Sequence, residues 1–350
     1  MIQYLGENLI AERHAGSKAR QDIEKILAEK YSAVTNIVQR KFSSNFQKVQ
    51  FLFSIKSIKT MHQLLERHPD TLFFVQYPFY FNPVYNYLLK HFIRTHSCVL
   101  MVHDVDSLRY KNIGRLHKEV LRLNQAEGII LHNDKMSTFL LQNGLKVPYV
   151  NLELFDYLLP GQVPEQNYYL GKEIVFAGNL GKSAFLHRIP GKISALHFSL
   201  YGISFPESLK NCPNLSWKGS YTPDEIPYRL EGSFGLVWDG DALDTCNGPM
   251  GYYTQFNNPH KLSLYIAAGL PVIVWNKSAI ADFVNKYQIG FTVDSLFDIS
   301  KKVDNLDQET YQIYLRNIAR LQKLVITGSF TKKAIQAILE RVDLSAREEV

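Results

Sequence analysis

The sequence predicts an α/β protein made of two doubly wound domains, and three observations carry that prediction. Short apolar runs alternate with amphipathic stretches along almost the whole chain. The runs are continuous in Val, Ile, Leu and Phe, as strands buried on both faces are, instead of alternating apolar with polar. The length, 350 residues, is more than one such sheet uses and suits two units of ordinary size.

The elements follow in order. An early helix runs from about Ala19 to Lys30, with Ile23, Ile26 and Leu27 on one face. The runs TLFFVQYP (71–78), SCVLMVHDV (97–105), EGIILHND (127–134) and VPYVNLELF (147–155) read as buried strands. Between them, NPVYNYLLKHFIRTH and NIGRLHKEVLRLNQ are helical in period, the second through Ile113, Leu116, Val120 and Leu123. The second half repeats the scheme with KEIVFAG, HFSLYG, LSWKGSY, FGLVWDG, PVIVWN and IGFTVDS. In TPDEIPYRLEG (222–232), Thr222 suits an N-cap, Pro223 the first helical position and Glu225 a capping box. Pro160, Gly161 and Pro164 break the period between 156 and 172, so the seam is expected there, with domains at 1–158 and 159–328. Residues 329–350 read as a terminal helix. Strand–helix alternation of this kind makes parallel sheets covered by helices.

Composition narrows the function classes. Net charge is +6, but the basic residues are dispersed and form no arm for nucleic acid. The excess suits an anionic small ligand or an anionic membrane surface. Three scattered cysteines, without a CxxC, predict neither disulfides nor zinc and point to a reducing cytoplasm. The first twenty residues lack an apolar signal region, and no apolar run reaches the ~18 residues of a spanning helix.

The stretch NNPHKLSLYIAAGLPVIVW (257–275) reads as a helix start, a short helix, a stop and a buried strand. Asn258 suits the N-cap and Pro259 the first turn; Pro271 forbids continuation. His260 and Lys261 then fall in the first turn, where the helix dipole disfavours cations by about 0.3–1 kcal/mol. An anion bound at that end would reverse the cost. The alternative is a lysine pointing into solvent.

This stretch resembles the nucleotide-sugar helix of GT-B glycosyltransferases. More narrowly, it resembles a bacterial family of β-1,6-galactofuranosyltransferases, similar to the glucosyltransferases that add the second sugar to serine-rich-repeat adhesins. FVQYPFYFNPVYNYLL, VLMVHDVDSLRY, IVFAGNLGKSAFL and YTPDEIPYRLEGSFGLVWDGD match in the same order. The resemblance implies a GT-B fold of two Rossmann-like domains, with acceptor site in the first, UDP-sugar donor site in the second and chemistry in the cleft. It implies that the terminal helix packs back on the first domain. It also implies transfer of a hexose, galactofuranose from UDP-galactofuranose foremost, to a glycan, glycolipid or glycoprotein acceptor at the cell surface. UDP-glucose-dependent transfer to an adhesin or polysaccharide is the alternative, and a non-catalytic glycan-binding partner subunit the second. A cytoplasmic enzyme is expected, with contact at the inner face of the membrane and homo-oligomerisation left open.

The site residues follow from the same resemblance. Gly178, Asn179 and Lys182 in FAGNLGKS surround the donor, Lys182 standing where the adhesin branch has arginine. This is no P-loop, since Phe176 occupies the position of the Walker glycine. Asn258, His260 and Lys261 complete the diphosphate site, and Tyr221 lies near the nucleotide. Asp244 and Tyr253, in the loop 240–256, are candidates for sugar hydroxyls. Gly16, Ser17 and Lys18 are candidates near the donor phosphates or the acceptor, with a plain N-cap by Ser17 as the other reading. Asp104 is the expected general base and His103 its rival. The pairs Asp104/Asp106 and Asp239/Asp241 mimic a metal-binding D-x-D, but no metal is expected: lysines and helix dipole supply the positive charge. The Glu-x7-Glu pattern of many retaining enzymes falls on Phe256 and Leu264, which favours inversion.

Overall fold

The computed structural model describes residues 1–8, 17–38, 54–66, 68–81, 83–161 and 168–348. Twelve strands are described, in two sheets of six: β1 Ile2–Asn8, β2 Ser32–Val38, β3 Leu72–Tyr77, β4 Cys98–Val102, β5 Gly128–Leu131 and β6 Tyr149–Asn151 form the first. The second holds β7 Glu173–Ala177, β8 His197–Tyr201, β9 Leu215–Gly219, β10 Phe234–Val237, β11 Val272–Trp275 and β12 Gly290–Val293. The pairings within both sheets are parallel. The orders are β2-β1-β3-β4-β5-β6 and β12-β11-β10-β7-β8-β9. Each order reverses once, between β1 and β3 and between β7 and β10. Such a switch point opens a crevice at the carboxyl ends of the strands.

The apolar runs go where their composition directs them. β4, β5, β10 and β11 are buried throughout, and helices cover both faces. Tyr265, on the helix His260–Ala267, seats that helix on the switch point. Gly235 leaves room for its ring, since a Cβ there would come within 2.4 Å of it. The Tyr265 hydroxyl accepts from the Ala177 amide (2.9 Å) and donates to the Leu236 carbonyl (3.2 Å). One tyrosine therefore ties the helix to β7 and to β10.

The terminal helix Ser329–Glu348 lies on β5 and β6 of the first sheet. Its start is held by Asp156, whose carboxylate accepts from the amides of Phe330 (3.3 Å) and Thr331 (2.7 Å). Gly128 permits the close approach: a Cβ there would meet Val342 at 2.8 Å and Ile338 at 2.9 Å. No helix among the described residues is long and apolar enough to cross a membrane.

Four local expectations are corrected. The helix at 260 is capped by Pro259, not by Asn258. Residues 222–232 form only the 3-10 turn Ile226–Tyr228. Pro227 has no N–H to return to the Pro223 carbonyl, which instead accepts from the Tyr157 hydroxyl (2.6 Å). The loop 240–256 contains a helix, Gly248–Tyr253. Ile113, expected on an apolar face, is exposed: the helix proper begins at Leu116, after the 3-10 turn Ile113–Arg115.

Candidate active site

The carboxyl ends of the two sheets face each other. A cavity of about 440 Å³ opens between them beside the second switch point. The loop after β7 supplies Gly178, Asn179 and Lys182; the end of β10 supplies Asp239; the helix at 260 supplies His260 and Lys261. Tyr221 and Pro223 line another wall, while Arg109 and Tyr157 reach in from the first half of the chain. Gly202 makes the wall possible. Its φ is +140°, and a Cβ there would lie 1.7 Å from the Gly178 carbonyl oxygen.

The first-turn cations resolve differently. The Lys261 ammonium lies 3.2 and 3.4 Å from the Asp239 carboxylate oxygens and 4.8 Å from the centre of the Phe176 ring. It is a paired cation facing the cavity. His260 is not a cation, because burial lowers its pKa to about 4. Its ring stacks on Tyr157 at 5.0 Å, its Nε2 meets the Asp156 carbonyl (3.3 Å), and its Nδ1 has no hydrogen-bond partner among the described residues. Lys182 is exposed at the rim, with no ionic partner among the described residues. The Tyr221 hydroxyl donates to the Lys218 carbonyl (3.0 Å), and Arg229 lies over its ring at 5.8 Å.

The first switch point gathers a second polar group. Arg20 donates to both carboxylate oxygens of Glu7, at the end of β1 (2.7 and 2.8 Å). Tyr80 lies 5.5 Å from the Arg20 guanidinium carbon. His103, just after β4, bonds Gln76 Oε1 through Nε2 (2.7 Å) and stacks on Phe155. Burial, with Arg20 nearby, holds its pKa well below the ordinary histidine value. The Asp104 carboxylate pairs with Arg109 and accepts from the Tyr80 hydroxyl (3.2 Å). The Tyr253 hydroxyl, from the other half of the chain, lies beside it and helps to lower its pKa. Burial raises the Asp104 pKa against the lowering effect of Arg109. Asp106 shares the Tyr80 hydroxyl (3.2 Å).

Of the residues expected at the donor, Gly178, Asn179, Lys182, Tyr221, His260 and Lys261 come together at one cavity. Asn258 does not join them. Its Nδ2 donates to the carbonyls of His132 (2.8 Å) and Glu153 (3.0 Å), and its Oδ1 accepts from Asn133 (2.7 Å). It fastens the two halves together instead of facing a ligand. Asp244 is exposed and does not line the cavity. Tyr253 is buried against Asp104 and Val105. Gly16 lies outside the described residues. Ser17 occupies the N-cap position of Lys18–Ala28 without a side-chain cap bond and does not line the donor cavity. The adjacent Lys18 is the busier residue: its ammonium bonds Asp22 (2.8 Å), Asp224 (2.8 Å) and the Leu158 carbonyl (2.7 Å). Sequence reasoning named Lys18 but missed Arg109, Tyr157 and Gly202, and set Asp239 aside. Only Asp239 and Gly202 carried a signal, each directly after an apolar strand.

Comparison with known proteins decides the family. The model described as "Glucosyltransferase 3-like, N-terminal domain" matches residues 5–154, and its C-terminal-domain counterpart matches 174–338. The chain belongs to the glucosyltransferase 3-like family. Among curated relatives of the family member, the β-1,6-galactofuranosyltransferase WbbI of Escherichia coli K12 is 29% identical over 99% of this chain and 100% of its own. Glucosyltransferase 3 of Streptococcus gordonii is 30% identical over 69% of this chain and 71% of its own. Among solved structures, sucrose-phosphate synthase from Thermosynechococcus elongatus superposes with a TM-score of 0.60 at 13% identity, over 98% of this chain and 100% of that one. WaaG, a glycosyltransferase of lipopolysaccharide biosynthesis, gives 0.55 at 11%, over 97% and 99%. These likenesses concern the fold, which is GT-B. This member of the glucosyltransferase 3-like family is thus a glycosyltransferase.

Proposed function

We propose that the chain transfers galactofuranose from UDP-galactofuranose, held in the 440 Å³ cavity, to a hydroxyl of a cell-surface glycan. The observation that carries a diphosphate donor is the convergence of Lys182, Lys261 and the start of the helix His260–Ala267 on one cavity at the switch point. First-turn amides lack acceptors within their helix and point outward from its end. With two ammonium groups beside them, they would hold the diphosphate and stabilise the charge that develops on leaving UDP. This reading requires no metal.

Asp104 suits the base better than His103. Burial makes its carboxylate more basic, whereas His103 is held neutral and weakly basic with Nε2 committed to Gln76. In the proposed step the acceptor hydroxyl gives its proton to Asp104 and its oxygen bonds the anomeric carbon. The bond from that carbon to the phosphate oxygen breaks, and UDP departs with the electron pair. One base and one displacement invert the anomeric centre.

The full-length match to a galactofuranosyltransferase supports the choice of sugar. UDP-glucose is the second reading, favoured by the family description and by the 30% identical streptococcal relative. UDP release from UDP-galactofuranose, UDP-glucose and UDP-galactopyranose, with simple glycoside acceptors and with or without EDTA, tests both. Turnover with UDP-galactofuranose alone, unchanged by EDTA, is expected. Turnover with UDP-glucose selects the second reading, and loss of activity in EDTA contradicts the metal-free mechanism.

A further inference from the structure

We propose that Arg109 is a positioning residue with two alternative partners, the Asp104 carboxylate and the donor diphosphate, so that donor binding draws it off and releases Asp104. The inference rests on the donor reading above.

Three observations lead to it. First, among the described residues, Arg109 is the one cation from the first half of the chain that lines the donor cavity. It shares that cavity with Lys182 and Lys261, so a diphosphate held there faces its guanidinium. Second, Arg109 is at the same time the ionic partner of Asp104, and its side chain is one-third exposed. It also donates to the Tyr80 hydroxyl (3.3 Å). It stands in the short helix Asp106–Arg109, directly behind the strand end that carries Asp104, so a change of side-chain rotamer serves both partners. Third, Asp104 is over-committed for a base: Arg109 pairs with it, Tyr80 donates to it, and the Tyr253 hydroxyl lies beside it. A carboxylate neutralised by an ion pair accepts a proton poorly. Of these partners, Arg109 is the one that lines the cavity in which the diphosphate would compete for it.

Among the described residues, the charged and titratable groups around Asp104 are Arg109, Arg20, Asp106, Tyr80 and Tyr253. Arg20 stays committed to Glu7. Exchange at Arg109 therefore changes the charge felt by Asp104 without dismantling the rest of the group. The order of events follows: donor first, base released second, acceptor third.

Linkage is reciprocal, which makes the idea testable without turnover. If the diphosphate competes with Asp104 for Arg109, removing the carboxylate charge must strengthen donor binding. UDP would be titrated calorimetrically into full-length wild type, Asp104→Asn, Arg109→Ala and the double variant, with thermal melts to confirm folding. Asp104→Asn is expected to bind UDP about five-fold tighter, the low end of usual coupling, as suits a partly exposed pair. Arg109→Ala should bind more weakly, and the double variant should match Arg109→Ala, because the gain acts through Arg109. A merely structural Asp104 would leave affinity unchanged or lower it. If Arg109→Ala fails to fold, Arg109→Gln takes its place. Wild-type UDP binding that Lys261→Ala destroys, with no gain in Asp104→Asn, overturns this inference and leaves the donor site standing. No UDP binding by wild type overturns both.

Discussion

Replacing Lys261 with alanine separates a functional first-turn cation from an ornamental one. Its ammonium sits 3.2 Å from Asp239, with its side chain 17% exposed and that of Asp239 34% exposed. A diphosphate oxygen brought to about 4 Å would interact with it by about 4 kcal/mol at an effective dielectric constant of ~20. Solvent at the cavity mouth and competition from Asp239 cut this to about 2 kcal/mol, or roughly 30-fold in affinity. The substitution also leaves Asp239 unpaired against the ligand. Lys261→Ala/Asp239→Asn should therefore recover roughly five-fold of the loss. Titration calorimetry with UDP reads both numbers. A dissociation constant for Lys261→Ala within about two-fold of wild type would refute the argument, because the cation would then be irrelevant to the cavity.

Three further outcomes follow from the geometry. Gly202→Ala would drive a Cβ into the Gly178 carbonyl and should cost about 3 kcal/mol or more, read as a lowered thermal midpoint. Asn258→Ala would strip partners from the carbonyls of His132 and Glu153 and from Asn133, costing about 2–4 kcal/mol in urea unfolding. Burial pushes the Asp156 carboxyl up to about 6, despite the amides of Phe330 and Thr331. A carboxyl with a raised native pKa binds protons more tightly when folded. Its contribution is full below its unfolded pKa of 3.8 and is lost as pH rises through 6. Asp156→Asn should therefore flatten part of the decline in stability between pH 4 and 6, measured by urea midpoints.

What the sequence disclosed depended on how local each cause was. VIVW, CVLMV and GIIL are continuously apolar, so parallel sheets were legible from composition alone. The misplaced cations at 260 and 261 pointed to the cavity through the electrostatics of a single helix turn. The details that escaped depend on distant partners. Asn258 reads as a cap until His132, 126 residues earlier, claims its amide. The box from Thr222 to Glu225 forms in part, since Glu225 accepts from the Thr222 amide (3.1 Å), but Pro227 stops the helix it would start. Arg109 carried no signal within its own segment; its reach into the cavity comes from the packing of the two halves of the chain. The partnership of Asp239 with Lys261 was likewise invisible, although both positions follow readable strand and helix signals.

The most direct test of the account is the location of bound UDP in crystals of the full chain. The diphosphate is expected within hydrogen-bonding reach of the Lys261 ammonium and at the start of the helix His260–Ala267, with the uracil near Tyr221. UDP bound elsewhere, for example in the separate 340 Å³ cavity lined by Asn133, Lys135 and Lys286, would contradict it.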